Sequence, residues 1–229
     1  MAARDGTATQ RAARTSAVHD RFRGWSAEAI EFFEGMEAEN SKAYWNAHKE
    51  QYQAEVLAPM EALLSELASE FGEGRIFRPY RDTRFSSDKS PYKTNIAAHN
   101  AAGYISLSAS ALGVGTGLYM PSTDQLARFR GAVDDDRRGR HLERLVADLR
   151  AKSVEVSAHE VLKTAPRGFP GDHPRIELLR HKGLTAWREW STGQWLGTPE
   201  PKRRVEDFLR TTTALRKWFD SNVGPPKEP

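Results

Sequence analysis

The side chains best suited to chemistry lie in one polar segment, residues 78–93. Five of its sixteen positions are cationic, namely Arg78, Arg81, Arg84, Lys89 and Lys93. A guanidinium carries five N–H donors that need acceptors when buried, so arginines at this density are unsuited to a hydrophobic core. The segment therefore indicates either contact with an anionic partner or an internal network of ion pairs.

A strand over residues 76–85, which the pattern predicts, would bring part of this charge together. Side chains alternate between the two faces of a strand. Arg78 and Arg84 would then lie on the same face as Asp82, with two guanidiniums around one carboxylate. The alternative is that Arg81 or Arg84 pairs with Asp82 or Asp88 and only locks the loop.

The second half of the segment would add ammonium groups to the same site. Pro91 favours the first position of a helical turn, and Lys89 and Lys93 would share one face of that turn. Together with bidentate contacts from arginine, these groups would hold a phosphate or a carboxylate. The residues assigned to ligand binding are Arg78, Arg81, Arg84, Lys89, Tyr92, Lys93 and Arg167.

Two groups are candidates for proton transfer, Asp82 in the segment and His173 at a predicted helix start. A histidine with the ordinary pKa of about 6.5 exchanges protons near neutral pH. The alternative for His173 is a structural role beside a helix N-cap. No histidine spacing indicates a metal site, and no cofactor is predicted. A magnesium ion held by Asp82 or Asp88 with a ligand phosphate stays open.

Glycines occupy alternate positions of a predicted strand over residues 112–120, at Gly113, Gly115 and Gly117. A phosphate loop is excluded because no Gly-Lys-Ser/Thr follows and no helix begins there. The alternation removes the side chains from one face of the strand. This permits close approach by a helix, an aromatic ring or a ligand, and tight packing of a helix is the simplest interpretation.

The composition is that of an ordinary globular protein with 229 residues, 38% hydrophobic and 28% charged. The formal net charge is only +3, so any preference for anions must come from local clustering. The absence of cysteine excludes disulfides, thiol catalysis and cysteine-ligated metals. No apolar run approaches the roughly 20 residues of a membrane helix, and no secretory segment is evident. We expect a cytoplasmic protein without a membrane partner.

Hydrophobic spacing predicts helices in the first and last thirds of the chain and short strands between them. The strands are expected at 76–85, 94–101, 104–109, 112–120 and 184–190, and short turns make neighbouring strands antiparallel. The predicted fold is a single α+β domain, with an antiparallel sheet packed against N-terminal and C-terminal helices. The domain is expected over residues 25–222, with a disordered basic tail at 1–24 and a flexible tail at 223–229.

Residues 81–86 and 88–93 resemble a family known as domain of unknown function 2461. Residues 40–52, 113–119 and 166–174 are similar to the same family's pattern. The resemblance spans roughly residues 25–220 and implies a single α+β domain of a bacterial and fungal type. It carries over no catalytic residues.

Three functions are compatible with these features. The first is binding of a small phosphorylated or carboxylated ligand, with or without catalysis. The second is a nucleic-acid-binding module, which the modest net charge and the interleaved carboxylates disfavour. The third is a protein-interaction domain in which the cationic segment is a purely structural network. The oligomeric state is open.

Overall fold

Six β-strands form one antiparallel sheet. The computed structural model describes residues 21–82, 84 and 88–227. Within them the strands are β1 (Arg75–Ile76), β2 (Asn95–His99), β3 (Tyr104–Ser108), β4 (Ala111–Leu118), β5 (Glu155–Ser157) and β6 (Leu184–Ser191). Their order across the sheet is β1-β2-β3-β4-β6-β5, and every neighbouring pair is antiparallel.

Helices from both ends of the chain pack against this sheet. In the described residues they are α1 (Ala27–Ala38), α2 (Lys42–Ala47), α3 (Lys49–Gln51), a π-helix (Tyr52–Leu57), α4 (Ala58–Phe71), α5 (Thr123–Asp134), α6 (Asp136–Ala151), α7 (Ile176–Arg180), a 3-10 helix (Gln194–Gly197), α8 (Glu200–Thr211) and α9 (Thr213–Asn222). Helix α4 contacts β1, while α8 and α9 contact β4. This confirms the predicted α+β class with one antiparallel sheet.

Alternation along the strands decides which face of the sheet is buried. In β3, Ile105 and Leu107 are fully buried, whereas the residues between and beside them are only half-buried. The paired strand β4 places Leu112 and Val114 on the same buried face. Each such side chain stabilises the fold by about 1.5–3 kcal/mol. A one-residue slip would expose the whole set, so the hydrophobic pattern fixes the register.

The predicted strand over residues 76–85 is wrong beyond Phe77. The Phe77 backbone N–H still donates to a carbonyl of β2, at 2.8 Å. Pro79 has no N–H and cannot continue that ladder. Residues 79–81 instead pair with residues 91–93 through backbone hydrogen bonds of 3.0 and 2.8 Å. The same pairing replaces the helical turn that was expected in the second half of the polar segment.

The helical region before the sheet contains one irregular turn. Pro59 does not cause it, since Pro59 lies in the first turn of α4, where a missing N–H is tolerated. The irregularity comes earlier, as the π-helix of residues 52–57. Buried Tyr52 and Val56 lie in that wider turn and join the core.

Two residues that the prediction assigned to the tails, Phe22 and Val223, are buried in the core. Phe22, assigned to the N-terminal tail, is buried, and its backbone N–H donates to Glu66 Oε1 at 2.7 Å. Val223, assigned to the C-terminal tail, is buried as well. The remainder of the tails, residues 1–20 and 228–229, lies outside the described residues. Across the described part of the chain, no helix combines the length and the apolar character needed to span a bilayer.

Candidate ligand site on the open sheet face

Two arginines of the polar segment already form ion pairs with its carboxylates. Arg84 donates two hydrogen bonds to Asp82, from Nε at 3.0 Å and from Nη2 at 2.7 Å. Arg81 pairs with Asp88 through Nη1, and its Nε donates to a backbone carbonyl at 2.9 Å. These contacts match the structural alternative for both arginines. The pairs are exposed, so they contribute little to stability.

The hydrogen bonds from Arg84 lower the pKa of Asp82 below its ordinary value, and the nearby charge of Arg78 adds to the effect. Asp82 is therefore held as a carboxylate at neutral pH. A carboxylate that accepts a bidentate guanidinium is a weak proton acceptor, so this geometry does not favour Asp82 as a general base.

Tyr92 lies in the core rather than on a ligand surface. Its side chain is buried and stacks on Trp45, with ring centroids 4.7 Å apart and ring planes 10° apart. Its backbone is held by the side chain of Asn40, which accepts from the Tyr92 N–H and donates to the Tyr92 carbonyl, both at 3.0 Å. Tyr92 therefore anchors the segment to the loop before α2.

Lys93 and Arg78 differ from the paired arginines. Neither forms an ion pair with a carboxylate within the described residues. Burial lowers the pKa of Lys93, and repulsion from Arg78 and Arg81 lowers it further. The Lys93 ammonium lies over the ring of Phe77, at 5.3 Å from the centroid. We call Arg78, Arg81 and Lys93 the basic edge, where two guanidiniums lie close enough to repel the Lys93 ammonium.

His173 and Arg167 lie on a different part of the molecule. His173 Nε2 is 3.2 Å from Asp134 at the end of α5, and Nδ1 accepts the backbone N–H of Arg175 at 3.0 Å. Arg175 is buried and donates to the Val133 carbonyl at 2.6 Å. Arg167 is exposed in the loop before α7. The contacts of His173 therefore tie α7 to α5 and do not include the basic edge.

The face of the sheet opposite the buried core remains partly accessible. Its register places Tyr104 of β3, Gly115 of β4 and Trp187 of β6 side by side. A Cβ atom at Gly115 would lie 2.5 Å from Cε3 of Trp187, and one at Gly113 would also collide with this indole. The glycines therefore make room for an aromatic ring, which is one of the partners that their alternation predicted. The packed helix favoured from the sequence is not what covers them.

A cavity of about 730 Å³ opens on this face. Side chains on its wall include His99, Asn100, Tyr104, Glu155, His159 and Trp187. The Trp187 Nε1 donates to Glu189 at 3.0 Å, which fixes the orientation of the indole. Burial raises the pKa of Tyr104, so its hydroxyl stays neutral.

The cavity adjoins the basic edge through one aromatic side chain. The ring of Phe77 lies 5.3 Å from the ring of His99 and 6.1 Å from that of Tyr104. Tyr104 in turn lies 6.2 Å from Trp187. Phe77 is 40% exposed, and its ring contacts both Lys93 and two residues of the cavity wall, His99 and Tyr104.

The sequence reasoning did not identify the cavity residues. A usable signal was the polar face of the predicted strands, where Tyr104, Ser106 and Ser108 alternate with buried aliphatic residues. Aromatic and polar residues on the solvent face of a strand are candidates for binding.

Within the described residues, no group of three or more His, Asp or Glu side chains is placed to hold a metal ion.

The fold and this surface define an α+β domain whose antiparallel sheet has one helix-covered face and one accessible face. A family model described as a conserved hypothetical protein, DUF2461, matches residues 28–218. Because the match covers most of the chain, the protein belongs to this family, as the polar segment predicted. A search of curated proteins finds no match to the chain.

Proposed function

We propose that the protein binds a small anionic ligand, bearing a phosphate or a carboxylate, at the basic edge. The observation that supports this is the charge balance around Lys93. Its ammonium is partly desolvated and repelled by Arg78 and Arg81, and no carboxylate among the described residues compensates it. An anion placed between Lys93 and Arg78 would relieve that repulsion and supply acceptors for charge-assisted hydrogen bonds.

The other predicted ligand residues differ in the roles that we propose for them. Arg84 and Lys89 are exposed and lie between Arg81 and Lys93 in sequence, so they are proposed as outer contacts. Tyr92 acts by anchoring the segment. Arg167 and His173 would belong to a separate surface. Catalysis on the bound ligand is a further part of the proposal. A magnesium ion that accompanies a phosphorylated ligand near Asp82 or Asp88, and a cytoplasmic location, are parts of the same proposal.

Isothermal titration calorimetry with inorganic phosphate and with citrate tests this proposal. Lys93→Gln and Arg78→Gln each remove one cation without adding an opposite charge. A hydrogen bond to a charged group contributes about 1.5–3 kcal/mol, so each variant is expected to bind roughly 10- to 100-fold more weakly. Lys217→Gln, an exposed substitution on α9, is the matched control and should bind as the unmodified protein does. Equal affinities for all four proteins would refute the proposal.

A further inference from the structure

The cavity is larger than an inorganic anion needs. Its volume of about 730 Å³ falls in the range of roughly 300–1,000 Å³ that small-molecule sites occupy. A phosphate bound at the basic edge would leave this space unused. The question is which chemical group would fill it while its charged end reaches Lys93 and Arg78.

The floor of the cavity suits a flat ring. Gly115 lies between Tyr104 and Trp187 in the register and presents no side chain. The indole of Trp187 lies against Gly113 and Gly115, held there by its hydrogen bond to Glu189. Tyr104 and Trp187, with centroids 6.2 Å apart and planes 38° apart, thus form a shallow aromatic surface. Aromatic surfaces of this kind bind planar bases through stacking.

Polar groups surround this surface at its rim. Glu155 and Ser157 of β5 and Thr185 of β6 line one side of the cavity. On the other side, Asn100 accepts two backbone N–H groups through Oδ1, at 2.9 Å each. Its Nδ2 is buried and has no hydrogen-bond acceptor among the described residues. A base offers both donors and acceptors at its edge, which matches the carboxylate of Glu155 and the hydroxyls of Ser157 and Thr185.

We infer that the ligand of the basic edge is a nucleoside phosphate, with its base on Tyr104 and Trp187 and its phosphate at Lys93 and Arg78. The inference rests on the proposed function for binding of the phosphate, and it adds binding of the base. Phe77 connects the two ends, since its ring contacts both Lys93 and Tyr104. The phosphate end accounts for the excess positive charge, and the base accounts for the glycine-backed aromatic surface.

The same chemistry is found in a free nucleotide and in single-stranded nucleic acid. The two sources differ in how affinity depends on length. A free nucleotide would bind as tightly as a short oligonucleotide, whereas a strand would bind more tightly with each added base and more weakly with added salt.

Calorimetric titrations with adenosine 5′-monophosphate, uridine 5′-monophosphate, ribose 5-phosphate and inorganic phosphate test the inference. The unmodified protein is expected to bind at least one nucleotide about tenfold more tightly than ribose 5-phosphate. Trp187→Leu should abolish that advantage and leave the affinity for ribose 5-phosphate unchanged, while Trp187→Phe should retain most of it. Oligothymidylates of two to eight residues, at two salt concentrations, then separate the free nucleotide from the strand.

The failures of the two proposals are distinguishable. If ribose 5-phosphate binds in a Lys93-dependent way and the nucleotides gain nothing, the nucleoside inference is overturned and the anion site stands. If no anion depends on Lys93, the proposed function fails first. If Trp187→Leu does not fold, intermolecular NOEs in the unmodified protein replace it. NOEs between base protons and the Trp187 indole would support the inference, and their absence from a saturated complex would overturn it.

Discussion

Lys93 is the residue in which burial and charge act most clearly together. Its ordinary pKa of 10.5 is lowered, first by desolvation and then by repulsion from Arg78 and Arg81. The unfolded chain therefore holds this proton more tightly than the folded chain does. Between the lowered pKa and 10.5, the contribution of Lys93 to stability rises with pH. The charged form of Lys93 is therefore disfavoured by folding, and a bound anion would offset that cost.

This linkage predicts how anion affinity depends on pH. Sulfate, which does not titrate in this range, should bind less tightly as the pH rises through the lowered pKa of Lys93, with the loss beginning below 10.5. Arginine keeps its charge to much higher pH, so Lys93→Arg should bind sulfate with little change between pH 7 and 10. Calorimetry at half-unit pH steps provides the measurement. A decline of the same size in Lys93→Arg would show that another group is responsible.

The exposed arginines illustrate why side-chain types alone did not settle the site. Dense cations predicted either a ligand or internal pairing. The structure shows ion pairs for Arg81 and Arg84, whereas Lys93 of the same segment forms no ion pair within the described residues. Arg84 finds its partner two residues away, in Asp82, because the chain turns there. Lys93 finds none among the described residues because it faces Phe77 and two guanidiniums. This difference depends on backbone pairing across residues 79–81 and 91–93, which no local pattern reveals.

Strand β4 connects the alternation of its glycines to the shape of the site. Gly113 and Gly115 lie against Trp187, so the bare face accommodates an indole that would otherwise stand away from the sheet. The spacing predicted a bare face and close approach, and both are confirmed. It did not identify the partner, because the pairing of β4 with β6 joins residues far apart in the sequence.

Gly115→Ala tests this packing directly. The added Cβ would lie 2.5 Å from Trp187 Cε3, so the indole must move or the strand must shift. Overpacking of this kind costs about 1–3 kcal/mol, and we expect a lower free energy of unfolding in urea. Gly131→Ala is the matched control, because nothing lies within 4 Å of its added Cβ in helix α5. That control should stabilise the protein by up to about 1 kcal/mol. Equal stability of Gly115→Ala and the unmodified protein would contradict the packing described.

Other elements show where local patterns are sufficient and where they are not. Strands β2, β3, β4 and β6 were predicted to within a few residues, because each alternates or has clear turns at its ends. Strand β5 was missed, since three residues are too few to establish a period. The strand expected over residues 76–85 does not continue through Pro79, because proline has no N–H to donate to the neighbouring strand.

In the molecule as a whole, the two faces of the sheet carry different kinds of side chain. One face carries the aliphatic side chains of β3 and β4 and is covered by helices from both ends of the chain. The other face carries aromatic and polar side chains around a cavity. The alternation of each strand thus separates the buried face that stabilises the fold from the face proposed for binding. Hydrophobic spacing predicted the α+β class, and composition excluded cysteine chemistry. The convergence of Phe77, Tyr104 and Trp187 could not be predicted without the order of strands in the sheet.

Adding an anion distinguishes the proposed anion site from the alternative of a purely structural ion-pair network. In that alternative, any added anion would find no preferred position, because the donors would already be satisfied. In the proposed site, one cluster of backbone amides would respond to the anion, and the surface around His173 would not.

Chemical-shift mapping of the ¹⁵N-labelled protein during titration with inorganic phosphate measures this most directly. The proposal predicts saturable shifts concentrated in the amides of Phe77, Arg78 and Lys93, with the amides around Arg167 and His173 unchanged. Absence of saturable shifts, or shifts centred on Arg167 and His173, would contradict it.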